Sequence, residues 1–234
     1  MKMRKTIKDV IPMSSSGYNT RVTQSIQQYG TGAMVDFPDQ TLMTSAPWFW
    51  KNNVTKIHDS RLQKALGVDY FGMPGTNQDN NATKEGISYV TFPEYYFCPV
   101  CRRLKKRSEW IKEYEKYAPE ATKNKDPYMI RHPKCYKDRC ALVASAIVTV
   151  CENGHINDFP WLEWAHYKNI NKAVPNKICS NPDLIFTTGN SATEGMAGLK
   201  VTCRNCKATA TLQDAFSQDI FRQLVKEKGF NEFY

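Results

Sequence analysis

The stretch Cys151–His166, CENGHINDFPWLEWAH, decides how the rest of the sequence is interpreted. It combines a cysteine and two histidines, which are residue types that zinc binds, with a proline and two tryptophans. Asn153 and Gly154 predict a tight turn, and Asp158 is expected to cap a following helix that has Pro160 in its first turn. We therefore expect a strand, a turn and a helix that are held together by a metal ion.

The other cysteines indicate what kind of metal site this is. All eight lie between residues 98 and 206. A C-x2-C turn directs two thiolates at one ion, and a second pair completes a tetrahedron. The motifs CPVC and CYKDRC are therefore expected to form one structural zinc site from Cys98, Cys101, Cys135 and Cys140. Disulfides are disfavoured, because we expect a cytoplasmic protein with reduced thiols.

A second zinc site is expected from the later cysteines. Its candidate ligands are Cys151, His155, Cys179, Cys203 and Cys206. The pair in CRNC forms one half and Cys179 the third ligand. The fourth ligand is either Cys151 or His155, which follow the same expected strand, and the sequence leaves this choice open. His166 is expected to be a hydrogen-bonded anchor in the next helix rather than a ligand.

The charge distribution predicts a polyanionic partner, DNA above all. The chain has a formal net charge of +9, and residues 98–140 hold thirteen lysines and arginines against six acidic residues. Such a positive field favours nucleic acid. The candidate phosphate contacts follow the first C-x2-C turn and are Arg102, Arg103, Lys105, Lys106 and Arg107. The other interpretation is a solvated basic surface with no specific partner.

Several function classes find no support in the sequence. No apolar run is long enough to span a membrane, no small-molecule substrate is indicated, and the H-E-x-x-H and G-x-x-x-x-G-K-[ST] motifs are absent. We therefore expect a non-catalytic protein. Two alternatives remain open: a zinc-dependent hydrolase or nuclease that uses His155, Asp158 and His166, or a protein–protein scaffold that does not contact DNA.

The expected fold class is α+β, with short antiparallel strands and helices organised around two structural zinc knuckles. The expected division is an N-terminal α/β segment over 1–97, a double zinc-knuckle domain over 98–212 and a C-terminal helix over 213–234. Within these segments, patterns of apolar and turn residues predict a helix over 59–67, a loop over 119–127, one buried strand over 141–150 and an amphipathic helix over 213–229.

The motifs together resemble those of a known family. CENGHINDFPWLEWAH resembles the C-x-x-G-H-x-x-D-F-P-W signature of the DrmB family, the helicase-associated subunits of DISARM anti-phage systems. TRVTQSIQQYGTGAMVDF, IHDSRLQKALGV, VTFPEYYFCPVCRRL and LKVTCRNC resemble further family segments in the same order, from about Arg21 to Leu212. The resemblance implies an accessory subunit that supports a SNF2-like helicase partner and engages DNA. Members of that family are much longer than this chain.

Overall fold

The structure, a computed structural model, describes residues 10–12, 24, 27–37, 40–49, 55–73, 87–125, 129, 133–189, 192–217, 219–222 and 224. It divides into two units, Met1–Phe92 and Pro93–Tyr234. Within the described ranges, no helix has both the length and the apolar character needed to cross a membrane.

The first unit contains a four-stranded antiparallel sheet. The described strands of the whole unit are β1 (Val10–Pro12), β2 (Met34–Phe37), β3 (Gln40–Thr44), β4 (Thr55–Ile57), β5 (Phe71–Met73) and β6 (Ser88–Thr91), with a short 3-10 helix at Pro47–Phe49. The sheet has the order β1-β6-β3-β2, and β4 pairs with β5 separately. Val35 lies opposite Leu42 in the β2–β3 register, and both are buried. Directly opposite residues share one face of a sheet, so this pair marks the apolar face.

The helix α1 (Ser60–Leu66) connects β4 to β5 and confirms the helix expected over 59–67. The Asp59 carboxylate accepts hydrogen bonds from the N–H groups of Arg61 (3.1 Å) and Leu62 (2.9 Å). Gly67 ends the helix in the left-handed conformation at φ 66°. Both residues suit these positions, because a carboxylate satisfies free N–H groups at a helix start and glycine adopts positive φ without strain.

The second unit is built around a six-stranded antiparallel sheet. The described strands of the whole unit are β7 (Tyr95–Phe97), β8 (Arg103–Lys106), β9 (Val143–Ala144), β10 (Val148–Val150), β11 (Ile156–Asp158), β12 (Leu184–Thr187), β13 (Lys200–Cys203) and β14 (Thr209–Thr211). Its helices are α2 (Arg107–Tyr117), α3 (Glu120–Lys125), α4 (Trp161–Tyr167) and a 3-10 segment at Ala192–Gly198. The sheet order is β14-β13-β12-β8-β7-β9, and β10 and β11 form a separate hairpin.

Two apolar clusters fill the second unit, each around a helix that carries buried tryptophan. Trp161 and Trp164 of α4 pack in a cluster with residues of β12, β13 and β14, and the Trp164 indole N–H donates to the Thr211 carbonyl (2.9 Å). Trp110 of α2 packs with Tyr96, to whose carbonyl its indole N–H donates (3.0 Å). Each helix is thus fixed to the sheet by apolar packing and by one hydrogen bond from the indole N–H of a buried tryptophan.

Three expected elements differ from the structure. The single buried strand over 141–150 is instead two short strands, because β9 pairs with β7 whereas β10 turns away to pair with β11. The expected loop over 119–127 contains α3, whose first turn is closed by hydrogen bonds from Thr122 and Lys123 to the Pro119 carbonyl. The expected helix over 213–229 does not start at 213, since Asp214 and Asp219 have positive φ.

Only residues 220–222 and 224 of that last segment are helical in the described part of the chain, and 225–229 lie outside it. The α+β class with short antiparallel strands is confirmed. The division into 1–97, 98–212 and 213–234 stays a prediction. In the structure β7, which ends at residue 97, is hydrogen-bonded into the sheet of the second unit.

Candidate metal centres

The first C-x2-C turn follows β7 directly and is held by backbone hydrogen bonds. The Cys98 N–H donates to the Arg103 carbonyl (3.0 Å), and the Arg102 N–H donates to the Cys98 carbonyl (2.9 Å). Arg102 adopts a positive φ of 62° to close the turn. The Cys101 N–H donates to the Cys98 sulfur (3.3 Å). The backbone therefore brings both sulfurs to the same side of the turn.

The first cluster consists of Cys98, Cys101, Cys135 and Asp138, whose potential ligand atoms all lie within 4.8 Å of one another. The Asp138 carboxylate accepts hydrogen bonds from the thiols of Cys98 (3.3 Å) and Cys135 (3.2 Å). The expected fourth cysteine, Cys140, is adjacent, with its sulfur 3.4 Å from that of Cys98. Two side chains therefore lie near the fourth position, and the cysteine spacing predicts only one of them, Cys140.

The other half of this cluster is a second short turn. The Cys135 N–H donates to the Cys140 carbonyl (2.8 Å), and Arg139 has a positive φ of 53°. Burial raises the pKa of the Cys101 and Cys135 thiols. Hydrogen bonds from the thiols, that of Cys101 foremost, lower the pKa of the Asp138 carboxyl. A bound cation would displace the thiol protons, as metal binding to cysteine requires.

The second C-x2-C turn connects β13 to β14 and repeats the backbone of the first. The Cys203 N–H donates to the Ala208 carbonyl (2.8 Å), and the Lys207 N–H donates to the Cys203 carbonyl (2.8 Å). Lys207 takes a positive φ of 67°, as Arg102 does after the first turn. The same turn geometry thus occurs twice in the second unit.

The second cluster consists of His166, Cys179, Cys203 and Cys206, again with ligand atoms within 4.8 Å of one another. The sulfurs of Cys179 and Cys203 are 3.7 Å apart, and the Cys206 sulfur lies 3.4 Å from His166 Nε2. His166 is fully buried, and its Nδ1 lies 2.7 Å from the Leu162 carbonyl. A carbonyl only accepts, so Nδ1 carries the proton and Nε2 presents a lone pair to the sulfurs.

The thiols of the second cluster differ in acidity. Burial raises the pKa of Cys179 to about 11. Burial acts in the same direction on Cys203, but backbone N–H donors, that of Cys206 first, outweigh it and lower the pKa of Cys203 to about 6. Cys203 therefore favours the thiolate, the form that binds metal. Three sulfurs and one imidazole nitrogen are a donor set that suits a closed tetrahedral zinc site.

The structure groups a different fourth residue with the three cysteines of this site. Neither Cys151 nor His155 belongs to the second cluster, and His166, which was expected to be only a hydrogen-bonded anchor, occupies that place. Cys151 and His155 contact each other at the end of the β10–β11 hairpin, with Sγ 3.2 Å from Nδ1. Cys151 and His155 were predicted as ligands because they follow the end of an expected strand. In the structure, α4 packs against β13 and brings His166 to the cysteines.

Asp158 also has a role other than the expected one. It does not cap α4, whose N-cap is Pro160 without a side-chain hydrogen bond. Instead its carboxylate accepts hydrogen bonds from the backbone N–H groups of Glu94 (3.0 Å) and Tyr95 (3.3 Å). The three residues of the hydrolase alternative therefore have different partners: Asp158 bonds to the start of β7, His155 contacts Cys151, and His166 lies with three cysteines.

Three of the five expected DNA contacts are engaged within the protein. The Arg102 guanidinium donates from Nε to the Phe186 carbonyl (2.8 Å) and lies over the ring of Phe97. Arg103 and Lys105 share one oxygen of the Glu113 carboxylate, at 3.1 Å and 2.5 Å. Because these cations already have partners, the run RRLKKR does not present five equivalent charges to solvent.

The remaining two residues are placed differently. Lys106 is exposed, with its ammonium 5.6 Å from the centre of the Tyr95 ring. Arg107 is partly buried at the start of α2, and its N–H donates to the Glu94 carbonyl (2.7 Å). Of the five, Lys106 is therefore the most accessible to a phosphate.

The sequence of the chain places it in a defined family. Residues 21–230 match the family described as "Domain of unknown function (DUF8724)", and because this match covers most of the chain, the protein belongs to that family. The chain is also similar to the DISARM protein DrmB of Bacillus paralicheniformis, with 28% identity over 178 residues. The aligned part is 74% of this chain and 27% of the relative, so the chain spans about a quarter of the length of the curated relative it matches. The resemblance to DrmB is thus confirmed as a similarity.

Proposed function

We propose that this protein is a zinc-binding, non-catalytic accessory component of a bacterial anti-phage defence complex, which supports a helicase partner in the cytoplasm and contacts DNA. The similarity to a DISARM protein supports the defence role. The two cysteine-rich clusters support a structural role for the metal, because each gathers about four donors from segments far apart in the chain.

Zinc is the metal that the donor sets favour. Thiolate sulfur and imidazole nitrogen select zinc over magnesium or calcium, which prefer oxygen ligands. In this proposal the second ion is held by His166, Cys179, Cys203 and Cys206. The first ion is held by Cys98, Cys101, Cys135 and Cys140, with Asp138 beside it as an acceptor for nearby donors.

The DNA contact is supported by exposed groups in the basic segment 98–140. Lys106 is exposed, and Lys116 lies with its ammonium 5.0 Å from the centre of the Tyr117 ring. Tyr117 (50% exposed) stacks against Tyr136 (38% exposed) at 5.7 Å between ring centres. Exposed aromatic rings among lysines are the combination that proteins use to bind bases and phosphates together.

The experiment combines metal counting with DNA binding. Native mass spectrometry of the purified chain is expected to show two tightly held zinc ions. Fluorescence anisotropy with single- and double-stranded DNA is expected to show affinity that falls steeply with salt. Replacing Lys106 and Lys116 with glutamate should weaken binding of every sequence alike. It should also flatten the salt dependence by about 0.9 in log–log slope for each duplex phosphate that the protein no longer neutralises.

Lys56→Glu is the matched control, since Lys56 makes the same kind of ring contact with Tyr70 in the first unit. DNA affinity that is equal in Lys56→Glu and in the Lys106 and Lys116 variants would contradict this contact surface. Two zinc ions without any DNA binding would contradict the DNA role and leave a protein–protein scaffold.

A further inference from the structure

One motif of the sequence has no role in the proposed function. Cys151 and His155 lie at the end of the β10–β11 hairpin, outside both clusters. The Cys151 thiol is partly buried, His155 is exposed, and Sγ lies 3.2 Å from Nδ1. The chain thus presents a soft sulfur donor and an imidazole nitrogen side by side near the surface.

The backbone fixes this pair. The Cys151 N–H donates to the His155 carbonyl (3.0 Å), and the Gly154 N–H donates to the Cys151 carbonyl (2.9 Å). The turn needs Gly154, which adopts φ 79°. The hydrogen bond continues the hairpin register beyond Val150 and Ile156, so the two side chains are cross-strand neighbours on one face.

The distance between the two donors matches a distance within the second cluster. There, the Cys206 sulfur lies 3.4 Å from His166 Nε2, compared with 3.2 Å between Cys151 and His155. Both distances are near the separation expected for sulfur and nitrogen ligands of one tetrahedral ion, about 3.5 Å from ordinary zinc bond lengths. The pair therefore has the spacing of half a zinc site.

We propose that Cys151 and His155 form a third metal site, a two-ligand position for a thiophilic divalent cation of the zinc type. Glu152, the nearest acidic neighbour in the turn, is paired with Arg222 at 2.8 Å. Its carboxylate is therefore already engaged. The other coordination positions face solvent and take water or a donor from another molecule. This site differs from the two clusters in how firmly it holds the ion. An ion with two protein ligands exchanges with ions in solution, whereas an ion with four protein ligands is retained.

The test is a metal titration of the full chain with Zn²⁺ and, in parallel, with Co²⁺, whose thiolate charge-transfer absorption reports sulfur ligation. Native mass spectrometry is expected to show a third equivalent in the wild type that a mild chelator removes before the other ions. Cys151→Ser keeps a hydroxyl that can hydrogen-bond to His155 but removes the soft donor. This variant and His155→Ala should each lose more than about tenfold affinity for the third ion.

His58→Ala is the matched control, since His58 is an exposed histidine of the first unit. It should bind the third equivalent as the wild type does. A wild type that never binds a third ion, or a third ion that persists in both Cys151→Ser and His155→Ala, would overturn the proposal. A chain that does not retain the two ions of the clusters would contradict the proposed function. The third site would still be tested, by comparing metal binding of the wild type with that of Cys151→Ser.

Discussion

The two clusters of the second unit each contain a C-x2-C turn of the same geometry. They differ in the residues that complete the cluster. In both, a C-x2-C turn is closed by the same two backbone hydrogen bonds and by a residue of positive φ, Arg102 in one and Lys207 in the other. The first cluster is completed by a short turn that places both Asp138 and Cys140 near the ion position. The second is completed by His166 of a buried helix and by Cys179. Half of each site is thus a local structure, and the other half depends on the tertiary fold.

This difference predicts that the second cluster is the more closely coupled to folding. His166 is flanked in α4 by buried Trp164 and Ala165, so a change at this site reaches the larger apolar cluster directly. In the first cluster, Asp138 and Cys140 both lie near the fourth position, so a change at one of them leaves the other in place.

The largest effect is expected from Cys203→Ser. The variant should lose the ion of the second cluster and much of the stability of the second unit, because a structural zinc contributes on the order of 10–16 kcal/mol of binding free energy to folding. Cys98→Ser is the counterpart in the first cluster and should lose one ion with a smaller loss of stability. Metal analysis and thermal melts followed by circular dichroism measure both. Equal destabilisation by the two variants would remove the proposed asymmetry.

The fourth ligand of the first cluster is distinguished by Cys140→Ser and Asp138→Asn. We expect Cys140→Ser to lower zinc affinity by more than about tenfold, since it removes a thiolate. Asp138→Asn should retain the ion, because its oxygen still accepts hydrogen bonds. Competition with a chromophoric chelator gives both affinities. The reverse ranking would make Asp138 the ligand and leave Cys140 as a neighbouring thiol.

Removing the tryptophan hydrogen bonds compares how much each one contributes to stability in the two apolar clusters. Trp164→Phe and Trp110→Phe each remove the indole N–H that reaches a backbone carbonyl, of Thr211 and of Tyr96 respectively. Each variant should lose about 1–3 kcal/mol of unfolding free energy, the usual cost of an unsatisfied buried acceptor. Urea denaturation provides the values. A loss below about 0.5 kcal/mol in either would show that its carbonyl finds another donor.

The smallest effect is expected at Asp158, which joins the hairpin before α4 to the start of β7. Burial raises the pKa of Asp158 above its ordinary value, although the N–H groups of Glu94 and Tyr95 oppose this shift. The folded state therefore binds the proton more tightly than the unfolded state does. This contribution to stability is complete below the ordinary pKa of aspartate and is lost as pH rises through the raised value.

Asp158→Asn should not show that loss, because an amide does not titrate in this range. Its oxygen can still accept hydrogen bonds from both N–H groups. Urea unfolding at matched pH values, between about pH 3 and pH 7, gives the difference in unfolding free energy between the wild type and the variant. Protonation of the metal ligands affects both proteins alike, so it cancels in this difference. A difference in unfolding free energy that stays constant across this range would show that Asp158 has the same affinity for protons in both states.

What the sequence predicted well is local. The C-x2-C turns and the capped helix α1 depend on residues within a few positions of one another, and they were identified by spacing and turn chemistry. The choice of His166 depends on α4 packing against β13 and β14, a contact between segments about 40 residues apart. A signal was present, since a histidine beside Trp164 and Ala165 on an apolar helix needs partners for two buried nitrogens.

Two differences between the sequence patterns and the structure have a similar cause. The run of apolar residues over 141–150 suggested one buried strand, but pairing with two different partners divides it. The basic run Arg102–Arg107 suggested one surface, but Glu113 on the neighbouring helix α2 binds two of its cations. In both cases the composition indicated correctly whether the segment is apolar or basic. The neighbouring elements of the fold determine what that segment contacts.

The spacing of the ligands has a topological consequence. Cys98 and Cys135 are 37 positions apart, and so are His166 and Cys203. An ion in each cluster would thus close two loops of equal length, and the entropic benefit of closure depends only weakly on that length. A protease that cuts once inside either loop would leave two fragments that stay joined through the ion. The fragments would separate only when a chelator is added under denaturing conditions. In electrophoresis, the cleaved protein would therefore migrate as an intact chain until its metal is removed.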